Sequence, residues 1–120
     1  MRKSPQNNSK RIYWASKHNP LIIQLSWLKE KFGDIEIIQG RSDNADMIVE
    51  DFKNKACDEM VIVAPLWVIY HVLTKGIKPL YAEMEETTDI QNADLHYRKR
   101  HYKFKGFKRI SEIKIKYEPI

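Results

Sequence analysis

Residues Glu59–Ala64 (EMVIVA) form an unbroken apolar, largely β-branched run. A strand that offers water no polar face must be covered on both sides, as in a parallel sheet flanked by helices. The rest of the chain must then supply those helices and the neighbouring strands.

The flanking sequence does so in alternation. Arg11–Ser16 (RIYWAS) is a short apolar, aromatic run that reads as a first strand. Asn19-Pro20 follows, with Asn suited to a helix N-cap and Pro to the first helical position. Leu21, Leu25, Leu28 and Phe32 recur at the spacing of one helical face, and Gly33 fits the residue that ends a helix. Asp34–Gln39 (DIEIIQ) reads as a second strand, and 40–44 as a polar turn. Asp43 or Asn44 can cap a second helix to about Lys55, with Ile48, Phe52 and Ala56 inward. After the Glu59–Ala64 strand, Pro65 opens a third helix, from Leu66 to about Lys75, closed by Gly76. Ile77–Met84 reads as a fourth strand, with Pro79 near its start, where a missing donor is tolerable.

Strand–helix three times and then strand implies βαβ units with right-handed crossovers. The remainder differs. Glu85–Leu95 reads as an acidic loop. Tyr102 and Phe104 alternate with Lys103 and Lys105; Ile113, Ile115 and Tyr117 alternate with Lys114 and Lys116. These predict an antiparallel hairpin of about 101–107 with 111–117 on one sheet edge. The expected fold is one three-layer α/β domain over 11–120, Rossmann-like or flavodoxin-like. It would have about four parallel strands and a C-terminal antiparallel hairpin. Residues 1–10 read as a disordered basic tail.

Composition narrows the function classes. With one cysteine, Cys57, the described chain has no internal disulfide pair, which fits a reducing, cytoplasmic compartment. No apolar run approaches the roughly 20 residues of a membrane helix, and no secretory h-region is visible near the N-terminus. The net charge of +5 favours an acidic partner. Neither GxGxxG nor GxxxxGK[ST] occurs, so no dinucleotide or Walker-type cofactor is expected. Cys57, His18, His71, His96 and His101 do not have the spacing of a zinc site, so no metal is expected.

In open α/β sheets, ligands bind beyond the carboxyl ends of the strands, where strand order reverses. For an order 2-1-3-4 that crevice lies between strands 1 and 3. Strand 1 leads into Ser16-Lys17-His18-Asn19 and a helix N-terminus, where free amides favour an anion. Ser16 can donate a hydrogen bond, Lys17 adds charge and His18 can shuttle a proton. Arg41, after strand 2, can pair with a phosphate. Trp67, after strand 3, can form an apolar wall or stack on a base. The bland reading of these residues is a βα turn needing its polar caps, with Trp67 in the core. A nucleophilic role for Ser16 or Cys57 would need a base that sequence alone does not place, so a binding protein is favoured over an enzyme.

The second constellation is basic. Residues 96–109 hold Arg98, Lys99, Arg100, Lys103, Lys105, Lys108 and Arg109, interleaved with Tyr97, Tyr102, Phe104 and Phe107, and no acid. Cations that track phosphates beside rings that stack bases are the equipment of single-stranded nucleic-acid grooves. The bland reading is an edge hairpin neutralised by the acidic stretch 83–94.

Four short motifs also resemble a known family. They are Trp14-Ala15-Ser16-Lys17-His18 with Gln24, Val61-Ile62-Val63-Ala64-Pro65-Leu66, Lys78-Pro79-Leu80, and Phe107-Lys108-Arg109-Ile110. Together they are similar to a family of small proteins of Firmicute phages, prophages and plasmids. That family has a W-A-[SA]-[RK]-H turn before a helix carrying Gln, a VVAP strand, and a short closing strand. The resemblance spans about residues 11–115 and implies a mobile-element origin, with no established activity. It singles out Ser16, Lys17, His18 and Gln24. This chain departs from it with Lys17 at the usual arginine position and a longer segment around 86–101. The readings carried forward are a binder of a small anionic or nucleotide-like ligand, a nucleic-acid-binding accessory protein, and a phage protein docking on a host protein. Homo-oligomerisation is compatible with each.

Overall fold

A computed structural model describes residues 9–120; the tail expected over 1–10 falls mostly outside them, and Lys10 already belongs to a strand. The chain runs β1 (Lys10–Ala15), α1 (Ile22–Phe32), β2 (Ile35–Gln39), α2 (Ala45–Asn54), β3 (Glu59–Ile62), α3 (Leu66–Thr74), β4 (Leu80–Glu86), a 3-10 turn (Ile90–Asn92), β5 (Leu95–Tyr97) and β6 (Arg100–Arg109). One six-stranded sheet has the order β2-β1-β3-β4-β6-β5. The pairs β1–β2, β1–β3 and β3–β4 are parallel, and β4–β6 and β6–β5 antiparallel. The fold is therefore mixed α/β, with four parallel strands, β2-β1-β3-β4, extended at one edge by the antiparallel strands β6 and β5 into a single six-stranded sheet.

Alternation along the central strands divides the core in two. Tyr13, Ala15, Met60 and Ile62 meet Ile48 and Val49 of α2 and Val68 and Val72 of α3. Ile12, Trp14 and Val61 point the other way, onto Leu28 of α1, Leu80 of β4 and Phe104 and Phe107 of β6. Helices thus cover both faces of β1 and β3, which is why their sequences offer no polar face.

Three helix starts follow three rules. Asn44 caps α2 by accepting from Met47 N at 3.1 Å. Pro65 precedes α3 with an extended ψ of 150°. For α1 the expectation of an Asn19 cap is corrected: the helix begins two residues after Pro20, at Ile22, and the Gln24 side chain reaches back to accept from Leu21 N at 2.9 Å. Gln24 supplies the back-reaching half of a capping box, so the chain needs no Asn at that end. Leu28 is fully buried on the inward face of α1. Gly33 and Gly76, both at positive φ, follow α1 and α3.

The C-terminal third corrects the predicted hairpin. Residues 111–117 form no strand. The partner of 100–102 is 95–97, and β6 also pairs along 102–109 with β4, which itself extends into the expected acidic loop to Glu86. The β5–β6 turn is Arg98-Lys99, with φ of 52° and 66°. Two-residue hairpin turns of that twist usually carry Asn or Gly, so Arg-Lys gave no turn signal. Opposite Glu83 and Met84, the β6 register skips from Gly106 to Phe104, leaving Lys105 as a bulge. Gly106 holds φ 113° there and lies against the Trp27 ring. The extra residue turns Phe104 and Phe107, three apart, onto one face, where their rings pack 5.1 Å apart.

Candidate functional site

A cavity of about 430 Å³ lies beyond the carboxyl ends of β1, β3 and β4. Its polar side is the turn from β1 into α1: Ser16, His18, Asn19 and Gln24. Ile62, Val63 and Ala64 of the β3 end and Ala82 and Met84 of β4 form the apolar side, and Leu95 and Tyr97 of β5 close over it.

The polar side is held rigid from behind. Trp14 Nε1 donates to His18 O at 2.6 Å, and Gln39 Nε2 donates to Ser16 O at 3.2 Å. His18 N donates to Ser16 Oγ at 3.0 Å. That last bond uses the hydroxyl as acceptor and leaves its O–H to donate. Ser16 is 3% exposed and Gln24 7% exposed. Gln24 Oε1 is taken by Leu21 N, while Nε2 has no partner among the described residues. Among the described residues no buried side-chain polar atom lacks a partner, so the remaining donors of these two largely buried residues, the Gln24 amide and the Ser16 O–H, are open to water at the edge of one mainly apolar chamber.

The flap over the chamber is anchored by Asp94. Its carboxylate accepts from Phe104 N at 2.8 Å and faces Lys103 Nζ at 3.6 Å, and its own N donates to Tyr102 O. On the other face of β5, His96 Nδ1 and His101 Nδ1 stand 2.6 Å apart. One of those nitrogens must donate and the other accept.

Of the ligand residues expected from sequence, the structure brings Ser16, His18 and Asn19 together and leaves three outside. Lys17 is exposed and does not line the cavity. Arg41 turns to Asp43, with Nε–Oδ1 and Nη2–Oδ2 both at 3.0 Å, and holds that carboxyl below the usual range. Trp67 is 63% exposed, edge-on to His71, so it belongs neither to the core nor to the chamber wall. Sequence reasoning missed Leu95 and placed Tyr97 in the basic-aromatic segment instead of at this cavity. It noticed Gln24 without a role; the N-terminal Gln three residues after a helix start was the available signal.

The basic segment is mostly neutralised. Arg100 meets Glu86, Lys103 meets Asp94, Lys105 meets Glu85, Lys108 meets Glu83 and Arg109 meets Glu59. Arg98 stands over the Tyr97 ring at 5.2 Å, and Lys99 is exposed at the turn. Tyr102 is half-buried in β6. Three of the five ion pairs, Arg100–Glu86, Lys105–Glu85 and Lys108–Glu83, join β6 to β4, while Asp94 precedes β5 and Glu59 begins β3.

At the opposite end of the sheet a second hollow is spanned by Arg109, which makes two bonds to the Glu59 carboxylate. Burial pushes the Cys57 thiol up, away from nucleophilic use. Among the described residues no three His, Cys, Asp or Glu side chains are grouped to hold a metal, and no helix is long and apolar enough to cross a membrane. Comparison with protein-family models, curated proteins and solved structures finds no match for this chain.

Proposed function

We propose that the protein binds a small ligand beyond the tips of β1 and β3, one with a flat apolar body and an anionic or nucleotide-like head. The observation that carries this is the polar corner of Ser16 and Gln24, whose O–H and Nε2 donors are not used by other described residues and open at the edge of an otherwise apolar chamber. A convergent polar corner in an apolar pocket is the ordinary form of a small-molecule site. Donors without acceptors suit a head rich in oxygen, and the first turn of α1 adds its amides at the same corner. The reversal of strand order between β1 and β3 supports a Rossmann-like crevice. The role read from these donors and apolar walls is binding of a ligand. The lone cysteine and the family resemblance support a cytoplasmic protein of mobile-element origin.

A thermal-shift panel of nucleosides, nucleotides and phosphorylated metabolites tests the reading, because a ligand that binds only the folded state raises Tm. Two variants locate the site. Gln24→Glu keeps the acceptor for Leu21 N and replaces the free donor with a carboxylate, so an anionic ligand loses its shift. Ala64→Trp fills the chamber and abolishes binding of any ligand there. A flat panel, or shifts that survive both variants, overturns the proposal.

A further inference from the structure

Beyond Arg109 the chain keeps the signature of a strand without a partner. Ile113, Ile115 and Tyr117 alternate with Lys114 and Lys116, yet residues 110–120 form no helix or strand. Ile115 is 55% exposed and Tyr117 86%. Such alternation fits a sheet with one buried face.

The sheet has an open edge of matching character. β2 (Ile35–Gln39, IEIIQ) pairs, among the described residues, only with β1. It holds no Pro, Lys or Arg and no bulge, the usual guards of an edge strand. Its faces differ. Ile35 and Ile37 belong to the apolar cluster under α1, and Glu36 points to the other face, 2.9 Å from Arg11 Nη1. A strand laid along β2 with Ile113, Ile115 and Tyr117 beside Ile35 and Ile37 would extend that cluster. The same register would put Lys114 and Lys116 on the face of Glu36.

The segment does not reach the β2 of its own chain. Its root, Arg109, lies on β6 beside the first residue of β4. The position outside β2 is five strand spacings away, about 24 Å. The four steps from Arg109 to Ile113 span at most about 14 Å. Ile110 N is also drawn to Pro79 O on the β4 side, away from the unpaired flank of β6.

We propose that residues 112–118 of one copy add as a strand to the β2 edge of a second copy. Exchange in both directions closes a two-fold dimer. This is independent of the ligand site, which lies at the strand tips and not at the edge.

Sedimentation of the full chain over a wide concentration range tests it. The expected result is a monomer–dimer equilibrium. It is abolished by Ile115→Asp with Tyr117→Asp, a change confined to exposed side chains, with circular dichroism and Tm unchanged. Glu36→Lys weakens the dimer by about ten-fold or more through like charge at the joint, and Lys114→Glu with Lys116→Glu on that background restores it. A monomer at every concentration overturns the proposal, as does a dimer indifferent to the Ile115 and Tyr117 changes. A dimer that needs those residues and ignores the Glu36 exchange overturns the assignment to β2.

Discussion

Gly40 lies so close over the Tyr13 ring that a Cβ on it would overlap the ring carbons, Cζ first. Tyr13 is fully buried and edge-on to Phe52, so its ring cannot swing away without disturbing the cluster under α2 and α3. Gly40→Ala is therefore an overpacking change. It should cost at least about 1–3 kcal/mol. For a domain of this size that lowers Tm by roughly 4 °C or more, measurable by calorimetry. Gly33→Ala, with nothing within 4 Å of its Cβ, tests a different cost, since only its positive φ opposes the change.

The Tyr13 hydroxyl makes a second point, about pH. It donates to Asp51 Oδ2 at 2.6 Å and accepts from Arg41 N at 3.0 Å, tying α2 to the loop after β2. Burial, and then the bond to Asp51, raise the phenol well above its ordinary range. The same bond, opposed by burial and helped by Lys55, holds the Asp51 carboxyl low. Both shifts describe one arrangement, a neutral phenol on an ionised carboxylate. In the unfolded chain the phenol ionises near pH ~10 and in the folded chain later. The folded state then binds more protons, so stability falls as pH rises above ~10. The Asp51 contribution is present above pH ~4 and is lost as pH falls through the lowered folded value. Tyr13→Phe should flatten both limbs and cost about 1 kcal/mol at neutral pH. Urea titrations across pH check this, and the phenolate absorbance band should show one tyrosine ionising only as the protein unfolds.

The Arg98-Lys99 turn carries removable strain. Both residues hold positive φ without being Gly, Asn or Asp. Left-handed backbone costs a side-chain-bearing residue about 1–2 kcal/mol. Arg98→Asn with Lys99→Gly supplies the residues that this turn favours and should raise Tm by several degrees, about 4 °C or more. Since β5 carries Leu95 and Tyr97 over the chamber, slower hydrogen exchange of β5 amides is expected in the same variant. Unchanged stability would mean that the turn is not the weak point of the flap.

How much of this was legible follows from where the information sits. The parallel half was read nearly to its boundaries because its signals are local: EMVIVA, the 4-3-4 spacing of α1, and the Asn44 and Pro65 helix starts. The β5–β6 hairpin was not, because its turn uses residues that do not favour it and β5 is three residues long. The alternation at 113–117 is strand-like in sequence, so pairing it with 101–107 was natural. Both flanks of β6 at 102 are instead taken by β4 and β5. The site followed the same division. Ser16, His18 and Asn19 follow one strand end, so their meeting on one side of the cavity is readable from local sequence. Arg41 and Trp67 were lost to an i+2 carboxylate and to the outward turn of α3, neither of which periodicity reveals.

The basic segment yields a prediction about oligonucleotides. Neutralising Z phosphates on a single strand gives a salt slope near −0.7Z. Seven cations would predict a slope near −5. Five of the seven face carboxylates across the β4–β6 ladder or from neighbouring segments, leaving Arg98 and Lys99 without an acidic partner among the described residues. Short single-stranded DNA should accordingly bind weakly, with a slope no steeper than about −1.4, and Arg98→Ala with Lys99→Ala should remove it. Fluorescence anisotropy against salt concentration decides this. A slope near −5 would mean that nucleic acid displaces the β4 carboxylates from β6. In that case Glu83→Gln, Glu85→Gln and Glu86→Gln should each tighten binding, and the hairpin would become the functional face in place of the chamber.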